Sequence, residues 1–182
     1  MDQTWGIYSD KQKVPNFNNK ENLKVLEIGP GKGLLLDKII NIYGKDNFYG
    51  MQPKNNEYHE FNNQLKEKLG DKFIESSLED YVESSLEEYV ELDDFIKFDI
   101  VYIYKININY DVKEKFVESL SKILNKDGII YITSVEKERF HKKDDHMSVL
   151  WLRDEFEKYF KTEIGVQGVG NEYYGYCILK LK

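Results

Sequence analysis

The sequence predicts an α/β fold, a doubly wound and mostly parallel sheet that ends in an antiparallel carboxyl-terminal hairpin. Three observations carry that prediction. β-Prone runs alternate with helix-spaced apolar segments between Lys24 and Thr133. A glycine-rich turn at Gly29, Gly31 and Gly33 joins the first of those runs to the first helix. Near the end of the chain, the β-prone runs Thr162 to Val169 and Tyr173 to Leu181 are parted around Gly170 and Asn171, with no room for a helix. Strands joined so briefly pair antiparallel, because a parallel pair needs a crossover of about a dozen residues.

The elements follow in order. Val25, Leu26 and Ile28 make a short apolar strand that carries one acid, Glu27. After the glycine turn, Leu34, Leu35, Leu36, Ile39, Ile40 and Tyr43 form a wide apolar helical stripe, ended by Gly44. Asn47 to Met51 reads as a second strand. Tyr58, Phe61, Leu65 and Leu69 then recur at helical spacing within Asn55 to Leu69, before Gly70. Lys72 to Glu75 is a third strand, and Phe98 to Tyr104 (FDIVYIY) is a strongly β-prone fourth. Val112 to Leu124 is helical, with Phe116, Val117, Leu120, Ile123 and Leu124 on its buried face. Asp127-Gly128 turns into a fifth strand, Ile129 to Thr133, and Val149 to Phe160 reads as a last helix.

One internal repeat interrupts this rhythm, ESSLEDYV at Glu75 to Val82 followed at once by ESSLEEYV at Glu83 to Val90. An eight-residue period is too short for a solenoid unit. In helical form Leu78, Tyr81, Val82, Leu86, Tyr89 and Val90 keep one apolar stripe, so the repeat reads as a duplication that lengthens a peripheral helix by about two turns. A partner-binding extension of that helix is the alternative.

Size and composition narrow the function. The 182 residues are expected to form one domain, a short segment 1–23 followed by a core from 24 to 182. Hydrophobic residues are 41% and charged residues 32%, a balance that suits a packed globular chain. No apolar run approaches the ~20 residues that span a bilayer, and the amino-terminal residues lack an apolar signal core, so a cytoplasmic setting is expected. The single cysteine, Cys177, leaves no internal disulfide and no cysteine metal cluster. A formal charge of −7 disfavours a nucleic-acid partner.

Glycines after a strand permit positive φ and close approach of a ligand to backbone. Their spacing here, G-x-G-x-G, falls one residue short of the dinucleotide fingerprint G-x-G-x-x-G. Glu27 stands just before the first of them, where it would repel a pyrophosphate but hold the ammonium of an amino-acid-like ligand. Both features weigh against a nicotinamide-dependent oxidoreductase.

The segment VLEIGPGKG resembles the first motif of class I S-adenosylmethionine-dependent methyltransferases, a Rossmann-like family. The FDIV strand, the segment ILNKDGIIYIT and the terminal hairpin are similar to that family as well, so the likeness runs from Lys24 onward. It implies S-adenosyl-L-methionine as cofactor, with Gly29, Gly31 and Gly33 around its methionine end and Glu27 orienting the loop and the ammonium group. Met51 and Gln52, at the end of the second strand, would lie by the ribose. The family usually has Asp or Glu at the position of Gln52; a Gln holds one hydroxyl well and the second less well. A plain loop glutamine is the alternative there. Ser77 stands nearest the family's adenine-facing acid, with Leu78 covering the adenine face, although Ser77 is also a natural helix N-cap.

Further along, Tyr104 and Lys105 end the fourth strand where a pocket wall belongs, and the Glu-His pair of many family members is missing. The loop Glu136 to Met147 carries His141 and His146, and Asp144, Asp145 and His146 resemble a D-D-H element that precedes the last long helix in some small-molecule methyltransferases. His146 and Asp144 are therefore the catalytic candidates, with His146 as a general base or a positioning group. A metal held by Asp144, His146 and His141 matches no recognised zinc spacing. The resemblance thus implies methyl transfer to an oxygen or nitrogen of a small molecule. The alternative is a methyltransferase-like binding or scaffold protein that has lost catalysis.

Overall fold

The computed structural model describes residues 14–17, 22–54, 59–87, 96–104, 113–136, 152–169 and 172–182. Its elements are β1 (Val25–Ile28), α1 (Leu36–Tyr43), β2 (Phe48–Met51), α2 (His59–Leu69), β3 (Phe73–Ile74), α3 (Leu78–Glu87), β4 (Phe98–Tyr104), α4 (Lys113–Ile123), β5 (Leu124–Glu136), α5 (Arg153–Tyr159), β6 (Phe160–Val169) and β7 (Glu172–Leu181). The seven strands form one sheet in the order β3-β2-β1-β4-β5-β7-β6. All pairs from β3 to β5 are parallel, and β7 runs antiparallel to both of its neighbours. The expected parallel sheet with an antiparallel end is therefore what forms. Strand order reverses between β1 and β4, which places the ligand-binding crevice of such a sheet at their carboxyl ends.

Alternation along the strands divides the core in two. On one face Val25, Phe48, Ile100, Tyr102, Tyr104 and Tyr131 pack under Leu36 and Ile39 of α1 and Leu65 and Leu69 of α2. On the other face Leu26, Ile28, Met51, Val101, Ile103, Ile130 and Ile132 meet α3, α4 and α5 through Val82, Phe116, Leu120 and Phe156. Each fully buried side chain of this size contributes roughly 1.5–3 kcal/mol.

Several boundaries differ from the sequence reading. Helix α1 begins at Leu36, not Leu34, because a turn closed by Gly33 N–H to the Pro30 carbonyl occupies the residues before it. Strand β5 starts at Leu124, directly after α4, and not at Ile129. Leu124 pairs with Phe98 and Ile129 with Ile100, so residues 125–128 loop out between those pairs, and that excursion contains the Asp127-Gly128 turn. Strand β5 also runs past Thr133 to Glu136, because β7 continues to pair with it through Tyr173. Phe160, read as the end of a helix, instead opens β6 opposite Leu181. The first copy of the repeat contributes the buried Leu78 and Val82 to α3, while residues 88–90 of the second copy lie outside the described residues.

Candidate functional site

Glu27 is the third residue of β1 and pairs in register with Gly50 of β2 and Tyr102 of β4. That position puts it in the middle of the sheet at 2% exposure. Among the described residues its Oε2 has no hydrogen-bond partner, and burial pushes its pKa from 4.5 up to about 8. A carboxyl group held this way gains by meeting a cation.

The glycine turn begins directly after β1. Gly29, Gly31 and Gly33 have φ of 71°, 55° and 71°, the left-handed region that L side chains rarely adopt. Among the described residues, a Cβ at Gly29 or Gly31 would meet no atom within 4 Å. Backbone conformation, not crowding by the protein, therefore selects glycine there, and the space beside the loop is open to a ligand. The Gly29 N–H donates to the Met51 carbonyl at 2.8 Å, which anchors the turn to the end of β2.

A second anchor comes from side chains. The Gly31 N–H donates to Gln52 Oε1 at 2.7 Å, and Gln52 Nε2 donates to Asn62 Oδ1 at 2.7 Å. Asn62 Nδ2 donates in turn to Glu75 Oε1 at 3.1 Å and to the Pro53 carbonyl at 3.2 Å. Lys66 Nζ lies 3.6 Å from Glu75 Oε2. The hydrogen bond from Asn62, helped by Lys66, holds the Glu75 carboxyl below its usual pKa. Gln52 is thus a buried member of a chain of hydrogen bonds, not an exposed loop glutamine.

The structure brings Glu27, the glycine turn, Met51 and Gln52 together at the carboxyl ends of β1 and β2. Met51 and Leu78 are buried in one apolar cluster. Ser77 Oγ accepts the Asp80 N–H at 3.1 Å and so caps α3. Asp144, His146, His141 and Lys105 lie outside the described residues. Among the described residues no group of His, Cys, Asp and Glu is arranged to hold a metal ion, and no helix is long and apolar enough to cross a membrane.

Two features escaped the sequence reading. One is the pair Asn62 and Glu75; the only signal was a polar residue beside the apolar stripe of α2. The other is a tyrosine cluster on the Glu27 face. Tyr102 stacks on Tyr104 at 6.0 Å, and Tyr131 lies 5.7 Å from Tyr104 and 6.1 Å from Tyr176. Tyr102 Oη donates to the Pro15 carbonyl at 2.5 Å and Phe17 N–H donates to Tyr43 Oη at 3.2 Å, so residues 14–17 are fastened over this floor. Tyr104 Oη and Thr133 Oγ1, on residues paired across β4 and β5, are buried and have no partner among the described residues. Burial, with Tyr131 and Glu27 nearby, raises the Tyr104 pKa further above the phenol range. A cleft of about 420 Å³ beside Asn22, Asp99, Asn125 and Asp127 opens at the opposite, amino-terminal end of these strands. Asp99 there is already satisfied by Lys24 N–H and Asn125 Nδ2, and the cleft does not reach the glycine turn.

No family model matches the chain. It is 28% identical over 141 residues to the mitochondrial ubiquinone biosynthesis O-methyltransferase of Dictyostelium discoideum, covering 72% of this chain and 41% of that protein. The chain thus spans about two-fifths of the curated relative that it matches. Among solved structures, it resembles precorrin-6y C5,15-methyltransferase from Geobacter metallireducens with a TM-score of 0.55 and 16% identity over 88% of this chain and 81% of that one. It is also similar to DhpI in complex with SAH, with a TM-score of 0.59 and 14% identity over 87% of this chain and 76% of that one. A TehB-like S-adenosylmethionine-dependent methyltransferase from Corynebacterium glutamicum matches at a TM-score of 0.57 and 13% identity, covering 90% and 82% of the two chains. The fold is that of class I methyltransferases.

Proposed function

We propose that this chain is an S-adenosylmethionine-dependent methyltransferase acting on an oxygen or nitrogen of a small molecule. The observation that carries the reading is Glu27, a buried carboxyl group whose Oε2 has no partner among the described residues, just before a turn of three positive-φ glycines. That donor set fits the amino-acid end of the cofactor: Glu27 takes its ammonium, and Gly29, Gly31 and Gly33 let it approach the backbone. The adenosine end lies across the ends of β2 and β3, by Met51, Gln52, Ser77 and Leu78. When bound, the cofactor supplies a sulfonium methyl already activated for in-line displacement. The protein's own task is then alignment, exclusion of water and, where the acceptor needs it, removal of one proton.

The buried tyrosine floor keeps water from the Glu27 side. Asp144 and His146 stand on the segment after β5 and are the proposed acceptor-side pair, with His146 as base or positioning group. A screen of small hydroxyl, amine and carboxylate compounds with methyl-labelled cofactor tests this function. Label transferred to one class of acceptor is the expected result. Tight cofactor binding with no transfer to any acceptor would favour a binding protein on the same fold, a reading supported by the engagement of Gln52 in internal hydrogen bonds.

A further inference from the structure

Resting on that cofactor reading, we propose that Glu75 is the carboxylate that accepts hydrogen bonds from the donors of the cofactor's adenosine half. Gln52 and Asn62 are then positioning residues that tie it to the glycine turn. The direction of the hydrogen-bond chain fixes these roles. A backbone N–H only donates, so the group on Gly31 must be Gln52 Oε1. Nε2 is then left to donate to Asn62 Oδ1, which turns Asn62 Nδ2 toward Glu75 and Pro53. The chain starts at a group that can only donate and ends at one that, once ionised, can only accept. An amide at 52 and an acid at 75 are therefore a matched pair. A carboxylate at 52 beside Glu75 would leave Asn62 Oδ1 facing a negative oxygen on one side or the other.

Position and capacity point the same way. Met51 pairs with Ile74, and the Gln52 N–H donates to the Ile74 carbonyl at 3.1 Å, so Gln52 and Glu75 are the next residues beyond that pair. Both stand on the carboxyl edge where the ligand of such a sheet lies. Gln52 has engaged both of its polar atoms internally. Glu75 has Asn62 on one oxygen, a long ion pair with an exposed lysine on the other, and a side chain 25% exposed. A carboxylate offers about four acceptor sites, so lone pairs remain for a ligand. The negative charge thus stands at the end of β3, joined to the end of β2 by a two-amide relay.

Calorimetry with S-adenosylhomocysteine, alongside thermal unfolding, tests this on the wild type, Glu75→Gln, Gln52→Glu and the double variant. Glu75→Gln keeps the Asn62 hydrogen bond, so its Tm should stay near that of the wild type while Kd rises about tenfold, the loss of one charge-assisted bond. Gln52→Glu should bind more weakly and unfold earlier. In the double variant the Asn62 amide can flip, donating to the carboxylate now at the end of β2 and accepting from the amide now at the end of β3, at the loss of its hydrogen bond to the Pro53 carbonyl. The relay is rebuilt with its charge on β2. Its affinity should return to within about threefold of wild type. Should Gln52→Glu not fold, the double variant against Glu75→Gln still decides. Wild-type binding with Kd unchanged in Glu75→Gln, or a double variant that binds no better than Glu75→Gln, overturns the proposal. Failure of the wild type to bind S-adenosylhomocysteine overturns instead the cofactor reading beneath it. The 2′-deoxy and inosine analogues separate the two donor sources: a variant indifferent to the missing hydroxyl assigns Glu75 to the ribose, and one indifferent to the missing amino group assigns it to adenine.

Discussion

Replacing Glu27 with Gln is expected to stabilise the protein and to weaken its grip on the cofactor. The native carboxyl titrates at about 8, against 4.5 when exposed, because of its burial. Its pKa is raised in the folded state, so the associated stability is fully present below pH 4.5 and is lost as pH rises toward 8. At about 1.4 kcal/mol per pH unit, the loss reaches roughly 3 kcal/mol by pH 7. Glutamine fills nearly the same volume and has no proton to lose. The variant should keep up to about 3 kcal/mol that the wild type has lost at pH 7, a rise in Tm of about 5–10 °C for a chain of this size. Urea unfolding of both proteins at pH 5, 7 and 8.5 measures the difference, which should widen with pH and then level off. Calorimetry should show binding of S-adenosylhomocysteine falling at least tenfold with the charge gone. A variant equal to or less stable than the wild type at pH 7, with a parallel pH profile, would show that burial does not hold the Glu27 carboxyl in its protonated form. A stability–function conflict of this kind is common where a site holds a group for its ligand.

Other outcomes follow from the same geometry. Cofactor affinity should peak near pH 8 and fall as pH drops below it, by up to about tenfold per unit, because an ammonium beside Glu27 draws off its proton, and it should fall again at higher pH as the cofactor's ammonium is itself lost; calorimetry in buffers of different ionisation enthalpy should register the release of the Glu27 proton at pH 7. Tyr104→Phe removes a buried hydroxyl with no partner among the described residues and should raise stability by about 1 kcal/mol in denaturant titrations. Deleting Glu83 to Val90 should leave a cooperatively folding protein with a lower Tm, since Leu78 and Val82 of the first copy already fill the core beneath α3; loss of cooperative unfolding would show that both copies belong to the core. His146→Ala should lower turnover roughly 10²–10⁴-fold at unchanged cofactor affinity where His146 is the base, and mainly weaken acceptor binding where it only positions the loop.

The parts of this fold that depend on local pattern were legible in the sequence. FDIVYIY is β4 from its first residue to its last, and the brief gap near Gly170 did yield paired antiparallel strands. Glu27 and its glycines were legible because strand, acid and turn are contiguous. The ends of β5 were not, because Leu124 is held by Phe98 and Ser134 to Glu136 by β7, partners distant in sequence. Nor was the Gln52 relay. Gly31, Gln52, Asn62 and Glu75 sit on four separate elements or their ends, and only the folded sheet edge makes them neighbours. Gln52 was visible as a residue type; its hydrogen bond to Asn62 was not. Thr133 read only as the end of a strand and Tyr104 as a pocket-wall position; that the side-chain oxygens of both are buried without partners among the described residues was not legible.

Parallel titration of the wild-type protein with S-adenosylhomocysteine and with NAD tests the central claim most directly. The buried Glu27 carboxyl under the glycine turn gains by meeting an ammonium and offers a pyrophosphate no counter-charge. Saturable binding of S-adenosylhomocysteine with no response to NAD is the predicted result. Micromolar NAD affinity with no response to S-adenosylhomocysteine would contradict it.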